Sequence, residues 1–120
     1  NSTNLPIVLY SIPSRCSVEL EVSTVARLAA DHPNIVCIKE AGGDVDRVSK
    51  LREVLPRKFT ILSGDDSLTL PFMAVGAQGV ISVAANLIPR QLTKMVHAYL
   101  KGDQKGSLKL HRSEEHTSEL

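Results

Sequence analysis

Four short apolar runs, each followed within a few residues by a segment of helical periodicity, constrain this chain more than any other feature. Leu5–Tyr10, Ile35–Glu40, Phe59–Leu62 and Val80–Val83 read as strands, because β-branched and other apolar residues run together between turn-forming clusters. Between and after them, apolar residues recur at helical spacing. The pattern predicts helices over Val22–Ala30, from Val45 to Leu55, over Leu70–Val75, and from a cap at Asn86 to Gly102. Asp44, Thr69 and Asn86 are the expected N-caps, with Pro71 and Pro89 in first turns where a missing N–H does no harm. The loop Ser11–Ser17 is expected to be irregular around Pro13, and Asp103–His111 to open one further helix. Strand and helix alternating with short connections imply right-handed βαβ units and a parallel sheet. A doubly wound open sheet and half of an eight-stranded (β/α) barrel both satisfy that pattern. No G-x-G-x-x-G turn follows a strand, which disfavours the nucleotide-binding version of the open sheet.

The stretch Ile35-Val36-Cys37-Ile38-Lys39-Glu40 reads as a strand buried on both faces, yet it ends on a lysine. Side chains alternate along a strand, so Lys39 shares a face with Cys37 and Ile35, while Val36 and Ile38 take the other. If one face looks into a barrel and the other toward covering helices, Lys39 points into the barrel mouth. Desolvation there favours a neutral amine, and a neutral amine is a nucleophile. Barrel chemistry gathers at the carboxyl ends of strands. Tyr10, Lys39 and Gly64-Asp65-Asp66 all occupy that position.

Composition narrows the alternatives. The 120 residues carry a formal net charge of +1, with two Cys and four His. The last stretch, Arg112–Leu120, breaks from the preceding composition and resembles translated sequencing-adapter read-through. It is set aside as a non-native tail, which leaves residues 1–111 as the folding unit. Setting it aside removes one Arg and three Glu and leaves +3, too mild for a nucleic-acid or membrane surface. Cys16 and Cys37 lack zinc-ligand spacing and are too few for a disulfide framework. No histidine accompanies Asp65-Asp66, so a turn and a helix start are expected there rather than a metal site. No apolar run reaches the roughly 20 residues of a membrane span, and a cytoplasmic location is expected. The polar Asn1–Asn4 opening, without a methionine, reads as a cut through a loop.

Four motifs in order, Tyr10-Ser11-Ile12-Pro13-Ser14-Arg15, Ile38-Lys39-Glu40-Ala41 followed by Gly43-Asp44, Ser63-Gly64-Asp65-Asp66, and Gly79-Val80-Ile81-Ser82-Val83, resemble those of the dihydrodipicolinate synthase family. The resemblance covers about residues 5 to 111. It implies a (β/α)8 TIM barrel with a carboxy-terminal helical region, of which residues 1–111 supply the second half, four βα units carrying strands five to eight. It also implies site residues. Lys39 would form a Schiff base with pyruvate, Tyr10 would relay protons, and Arg15 would bind a carboxylate of the second substrate. Gly64 and Ile81 would line the pyruvate site through their main chains. Two departures fall in the substrate loop: Ser11 stands where the family usually has asparagine, and Cys16-Ser17 where it usually has threonine-glycine.

The function implied is a class I aldolase-type lyase that condenses pyruvate with aspartate-semialdehyde on the route to lysine. No cofactor or metal is implied, because the covalent lysine imine is itself the electron sink. A full-length protein of this kind would be a homo-oligomer, a tetramer by family resemblance. Such a protein would also have the first four strands, with the threonine pair that binds the pyruvate carboxylate, and these residues hold no counterpart of them. By itself, residues 1–111 are expected to be inactive. Within the superfamily, N-acetylneuraminate lyase or a keto-deoxy sugar-acid aldolase is the alternative, and Arg15 argues against the former. A non-enzymatic α/β ligand-binding module is the alternative of another class.

Overall fold

In a computed structural model that describes residues 2–118, with side chains as far as residue 113, strands and helices alternate through the chain. Strand β1 is Ile7–Ser11, followed by the one-turn helix α1, Pro13–Cys16, and by α2, Val22–Asp31. Then come β2, Ile35–Glu40; α3, Val45–Val54; β3, Thr60–Ser63; α4, Thr69–Ala74; and β4, Gly79–Val80. Helix α5, Pro89–Leu100, and α6, Gln104–Ser118, complete the order.

The strands form one sheet in the order β1-β2-β3-β4, every neighbouring pair parallel. Tyr10 pairs with Lys39, Lys39 with Leu62, and Leu62 with Gly79. One row of side chains therefore crosses the sheet near its carboxyl end. On the opposite face Leu9, Ile38 and Ile61 pair, and they pack with Val25, Val48, Leu51, Phe72, Leu92 and Met95 from the helices into one core. Ile38, Ile61, Val48 and Met95 are fully buried there. The face shared by Val8 and Tyr10 is open instead, with both residues about half exposed. The helices thus cover one side of the sheet and leave the other side of β1 uncovered.

Several boundaries differ from expectation. β1 starts at Ile7 rather than Leu5 because Pro6 has no N–H to give a ladder. Ile7 N–H takes up the pairing by donating to the Asn34 carbonyl at 2.7 Å. The register shifts at Val36, which remains exposed, and this irregularity puts Ile35, expected on the Lys39 face, against the helix-side core instead. Pro13 starts a helical turn at its N1 position, where its fixed φ fits, instead of preventing one. Thr69 lies inside a helical turn that begins with a 3-10 segment at Asp66; its hydroxyl donates to the Asp66 carbonyl at 2.9 Å and caps nothing. β4 ends at Val80, although Ile81 N–H still donates to the Ser63 carbonyl at 2.9 Å. Beyond it the chain turns into a 3-10 segment, Ala84–Asn86, and α5 begins after Ile88 rather than at Asn86. Asp44 caps α3 as expected, accepting from Asp46 N–H at 2.9 Å and Arg47 N–H at 3.3 Å.

The turn that ends α1 carries the one non-glycine residue with positive φ among the described residues, Ser17 at 56°. A side chain in this left-handed region costs on the order of 1 kcal/mol, which glycine avoids. Ser17→Gly should therefore raise stability by about 1 kcal/mol, measured by urea unfolding of the chain. A stability decrease would show that the Ser17 side chain contributes more than the strain removes.

Candidate active site

Lys39 lies one residue before the carboxyl end of β2 and Tyr10 one residue before that of β1, so register alone places them side by side. Their contact is close: Lys39 Nζ sits 4.1 Å from the centre of the Tyr10 ring. Such cation–π contacts are worth about 0.5–1 kcal/mol at exposed sites. Among the described residues Lys39 Nζ makes no hydrogen bond or ion pair, which leaves the amine free at the open face. Cys37 lies two residues back on the same face and is 5% exposed; burial pushes its thiol up from its ordinary value and keeps it protonated.

Gly64 closes the third side. Its N–H donates to the Glu40 carbonyl at 2.7 Å. A Cβ on Gly64 would stand 2.7 Å from the Ala41 Cβ and 3.2 Å from Lys39 Cε. Only a residue without a side chain lets β3 pass this close to the lysine stem. Gly64→Ala should cost about 1–3 kcal/mol of stability through overpacking and shift Lys39 from its place. Thermal unfolding together with chemical modification of Lys39 would check both parts.

The remaining expected site residues are more loosely placed. Arg15 is exposed on α1, in the loop that leaves β1, and among the described residues makes no ion pair. Ile81 follows β4 and is 40% exposed. Both lie at the carboxyl edge of the sheet, but neither touches the Lys39–Tyr10 pair through a hydrogen bond. Tyr10, Lys39 and Gly64 are thus brought together, while Arg15 and Ile81 border them.

Three polar residues lie behind this row: Glu40 and Ser63, given no role from the sequence, and Ser11, which was expected in the substrate loop but ends β1. Ser11, Glu40 and Ser63 are adjacent across β1, β2 and β3, and all are buried on the helix side. Glu40 is fully buried, with Oε2 accepting from Arg47 Nε at 3.0 Å and Oε1 from Gly42 N–H at 3.1 Å. Burial raises the Glu40 carboxyl above its ordinary range, and the Arg47 charge and the two hydrogen bonds pull against that rise. Alternation contained the signal. It puts Glu40 on the same side as Ile38, where helices were expected, and a buried carboxylate requires a cation. Arg47, the first basic residue downstream and one turn into α3, is that cation. Asp66 was expected to serve only a turn and a helix start. Its Oδ2 instead accepts from Ala84 N–H at 3.1 Å, tying the loop after β3 to the loop after β4.

Parallel βα units whose helices cover one face of the sheet and leave the other open have the architecture of part of a (β/α)8 barrel. Solved structures agree. The 4-hydroxy-tetrahydrodipicolinate synthase of Methylacidiphilum fumariolicum matches with a TM-score of 0.91 at 59% identity, over 92% of this chain and 37% of that one. Dihydrodipicolinate synthase from Aquifex aeolicus matches with a TM-score of 0.91 at 46% identity, over 92% and 38%. The model of the dihydrodipicolinate synthetase family matches residues 1–116, and the chain belongs to that family. Among curated relatives, 4-hydroxy-tetrahydrodipicolinate synthase of Desulforamulus reducens is 48% identical over 110 residues, 92% of this chain and 37% of the relative. That of Synechococcus elongatus is 52% identical over 108 residues, 90% of this chain and 36% of the relative. The chain therefore spans a little over a third of the length of the relatives it matches.

Proposed function

We propose that this chain is the lysine-bearing half of the barrel of a pyruvate-dependent lyase, which condenses pyruvate with aspartate-semialdehyde in lysine biosynthesis. The observation that carries the reading is the position of Lys39: an amine without a salt bridge among the described residues, at the carboxyl end of a strand, against the Tyr10 ring and under Gly64. In this reading the Lys39 amine adds to the pyruvate ketone, and loss of water gives an imine. The imine withdraws electrons from the adjacent methyl, which loses a proton to become an enamine. The enamine carbon attacks the aldehyde. The amine already carried by the second substrate then displaces Lys39 as the product cyclises.

Tyr10 serves as the proton relay in this scheme. Its ring lies against the amine, and in this reading its hydroxyl hands a proton to the carbinolamine oxygen that must leave as water. Arg15 binds the carboxylate of the aldehyde, a task suited to its planar fork. Gly64 and Ile81 offer main-chain groups to pyruvate. No cofactor is needed, because the imine itself accepts the electron pair. The full-length enzyme would be a cytoplasmic homo-oligomer; no helix among the described residues is long and apolar enough to cross a membrane.

Reduction with borohydride in the presence of pyruvate tests the reading. A stable adduct mapped to Lys39 by peptide mass is the expected result. Capture spread evenly over the exposed lysines would rule out a specific imine site.

A further inference from the structure

Lys39 itself is poorly anchored, since its amine makes no hydrogen bond or ion pair among the described residues. Beyond its contacts with the Tyr10 ring and Gly64, its direction comes from the backbone on either side. The residue that follows it is among the most firmly held in the molecule. Glu40 is fully buried, pairs with Ser11 on one side and Ser63 on the other, and accepts from Gly64 N–H at its carbonyl. Its carboxylate grips Gly42 N–H and Arg47 Nε, at 3.1 and 3.0 Å. Arg47 is itself fixed in the first turn of α3 by the Asp44 cap. Glu40 thus joins the end of β2, the loop beyond it and the start of the next helix.

The same guanidinium reaches a second loop. Arg47 Nε lies 3.5 Å from Glu19 Oε1, in the segment that follows Arg15. That segment is also held to the sheet by Leu20 N–H, which donates to Ser11 Oγ at 3.4 Å. Gly42 leaves room for both acids: a Cβ there would stand 2.8 Å from Glu40 Oε1 and 3.1 Å from Glu19 Oε1. Arg47 Nη2 is buried without a partner, so the charge of the guanidinium depends on these two carboxylates. For stability alone this is a poor use of a core position. A buried ion pair is often no better than an apolar pair of the same volume, because both charges lose their water. Its advantage is directional, since a single buried Nε–H faces both carboxylates, at 3.0 Å from Glu40 and 3.5 Å from Glu19, and only one placement of the side chain does so.

We propose that the Glu40–Arg47 pair is a positioning device, which fixes the direction of Lys39 from behind the sheet and, through Glu19, holds the Arg15 loop in register with it. The inference rests on the imine reading above. Misplacing a reacting group by about 1 Å can cost on the order of a hundredfold in rate.

The test uses the whole 120-residue chain and pyruvate itself. The rate of borohydride-trapped capture at Lys39 is followed against pyruvate concentration by peptide mass, with the exposed Lys101 of the same molecule as the internal reference. Arg47→Met should lower the limiting rate at Lys39 roughly tenfold or more while the rate at Lys101 stays unchanged. Arg47→Lys, which keeps the charge and loses the fixed Nε–H donor, should fall between. A Lys39 preference that survives Arg47→Met in a folded chain overturns this inference alone. So does a loss that merely follows the unfolded fraction seen by circular dichroism across a urea series. If Arg47→Met does not fold, Arg47→Lys decides: an unchanged Lys39 rate overturns the proposal, and a fall of about threefold or more with native dichroism supports it. No preference for Lys39 in the unsubstituted chain overturns the imine reading and this inference together.

Discussion

Lys39→Arg is expected to abolish capture of pyruvate at position 39 while leaving the fold intact. Arginine keeps the positive charge and can still lie over the Tyr10 ring, because a guanidinium stacks on aromatic faces at least as well as an ammonium. The open face beside Val8 and Tyr10 has room for the larger head group. A guanidinium does not become neutral in a protein, and without a free electron pair on nitrogen it cannot add to a ketone. The charge, the stacking and the length are therefore nearly kept, and the nucleophile alone is removed. Borohydride trapping with peptide mapping should find no adduct at position 39 above that of the urea-unfolded chain, with unchanged circular dichroism. Undiminished turnover by this variant in a full-length enzyme would end the imine account.

The contrast between Lys39 and Glu40 shows what could be read from the sequence. Period-two alternation placed Lys39 and Cys37 on one face and Ile38 on the other, and the register of β2 bears this out from Cys37 onward, whereas the shift before it turns Ile35 away from the Lys39 face. The core stripe of α3, with Val48 and Leu51 fully buried and Leu55 nearly so, followed from periodicity in the same way. These features were legible because a repeating pattern needs only local geometry. The hydrogen bond from Ala84 N–H to Asp66 was not legible, since it joins residues whose approach depends on how two loops lie over the sheet. The end of β4 failed for a related reason. Val80-Ile81-Ser82-Val83 has strand composition, but beyond Ile81 the chain leaves the ladder, and Val83 is 76% exposed. Propensity measures fit to a half-buried pleated surface, and no such surface lies beside those residues. The Glu40–Arg47 pair stands between the two cases. Alternation required a partner for Glu40, and only the fold could supply its distance, its burial and its link to Glu19.

The 120-residue chain by itself is expected to self-associate and to show no condensation of pyruvate with aspartate-semialdehyde above background. Among the described residues its sheet has two open edges: β1 pairs with β2 alone, and β4 with β3 alone. Each outer edge offers unpaired backbone donors and acceptors, a template for another strand. Apolar surface accompanies them, with Val8 48%, Leu87 77% and Val83 76% exposed, and burying such side chains yields about 1.5–3 kcal/mol each. Association through these edges should appear as a concentration-dependent mass in light scattering at micromolar chain. Catalysis fails for a separate reason. The site is built on three sides by Tyr10, Lys39 and Gly64, and the face opposite them is exposed to water. Imine capture requires only one amine, and reduction makes it irreversible. Carbon–carbon bond formation requires a second substrate held in line and a developing charge stabilised in a dry site, and these supply most of an enzyme's rate. Enzymes commonly turn over at about 1 to 1,000 per second, and this chain should fall several orders of magnitude below that range. A coupled assay of purified chain with both substrates measures the difference. A monomer by light scattering that turns over within the enzymatic range would show that four strands suffice for the whole reaction, against the expectation argued from its open face.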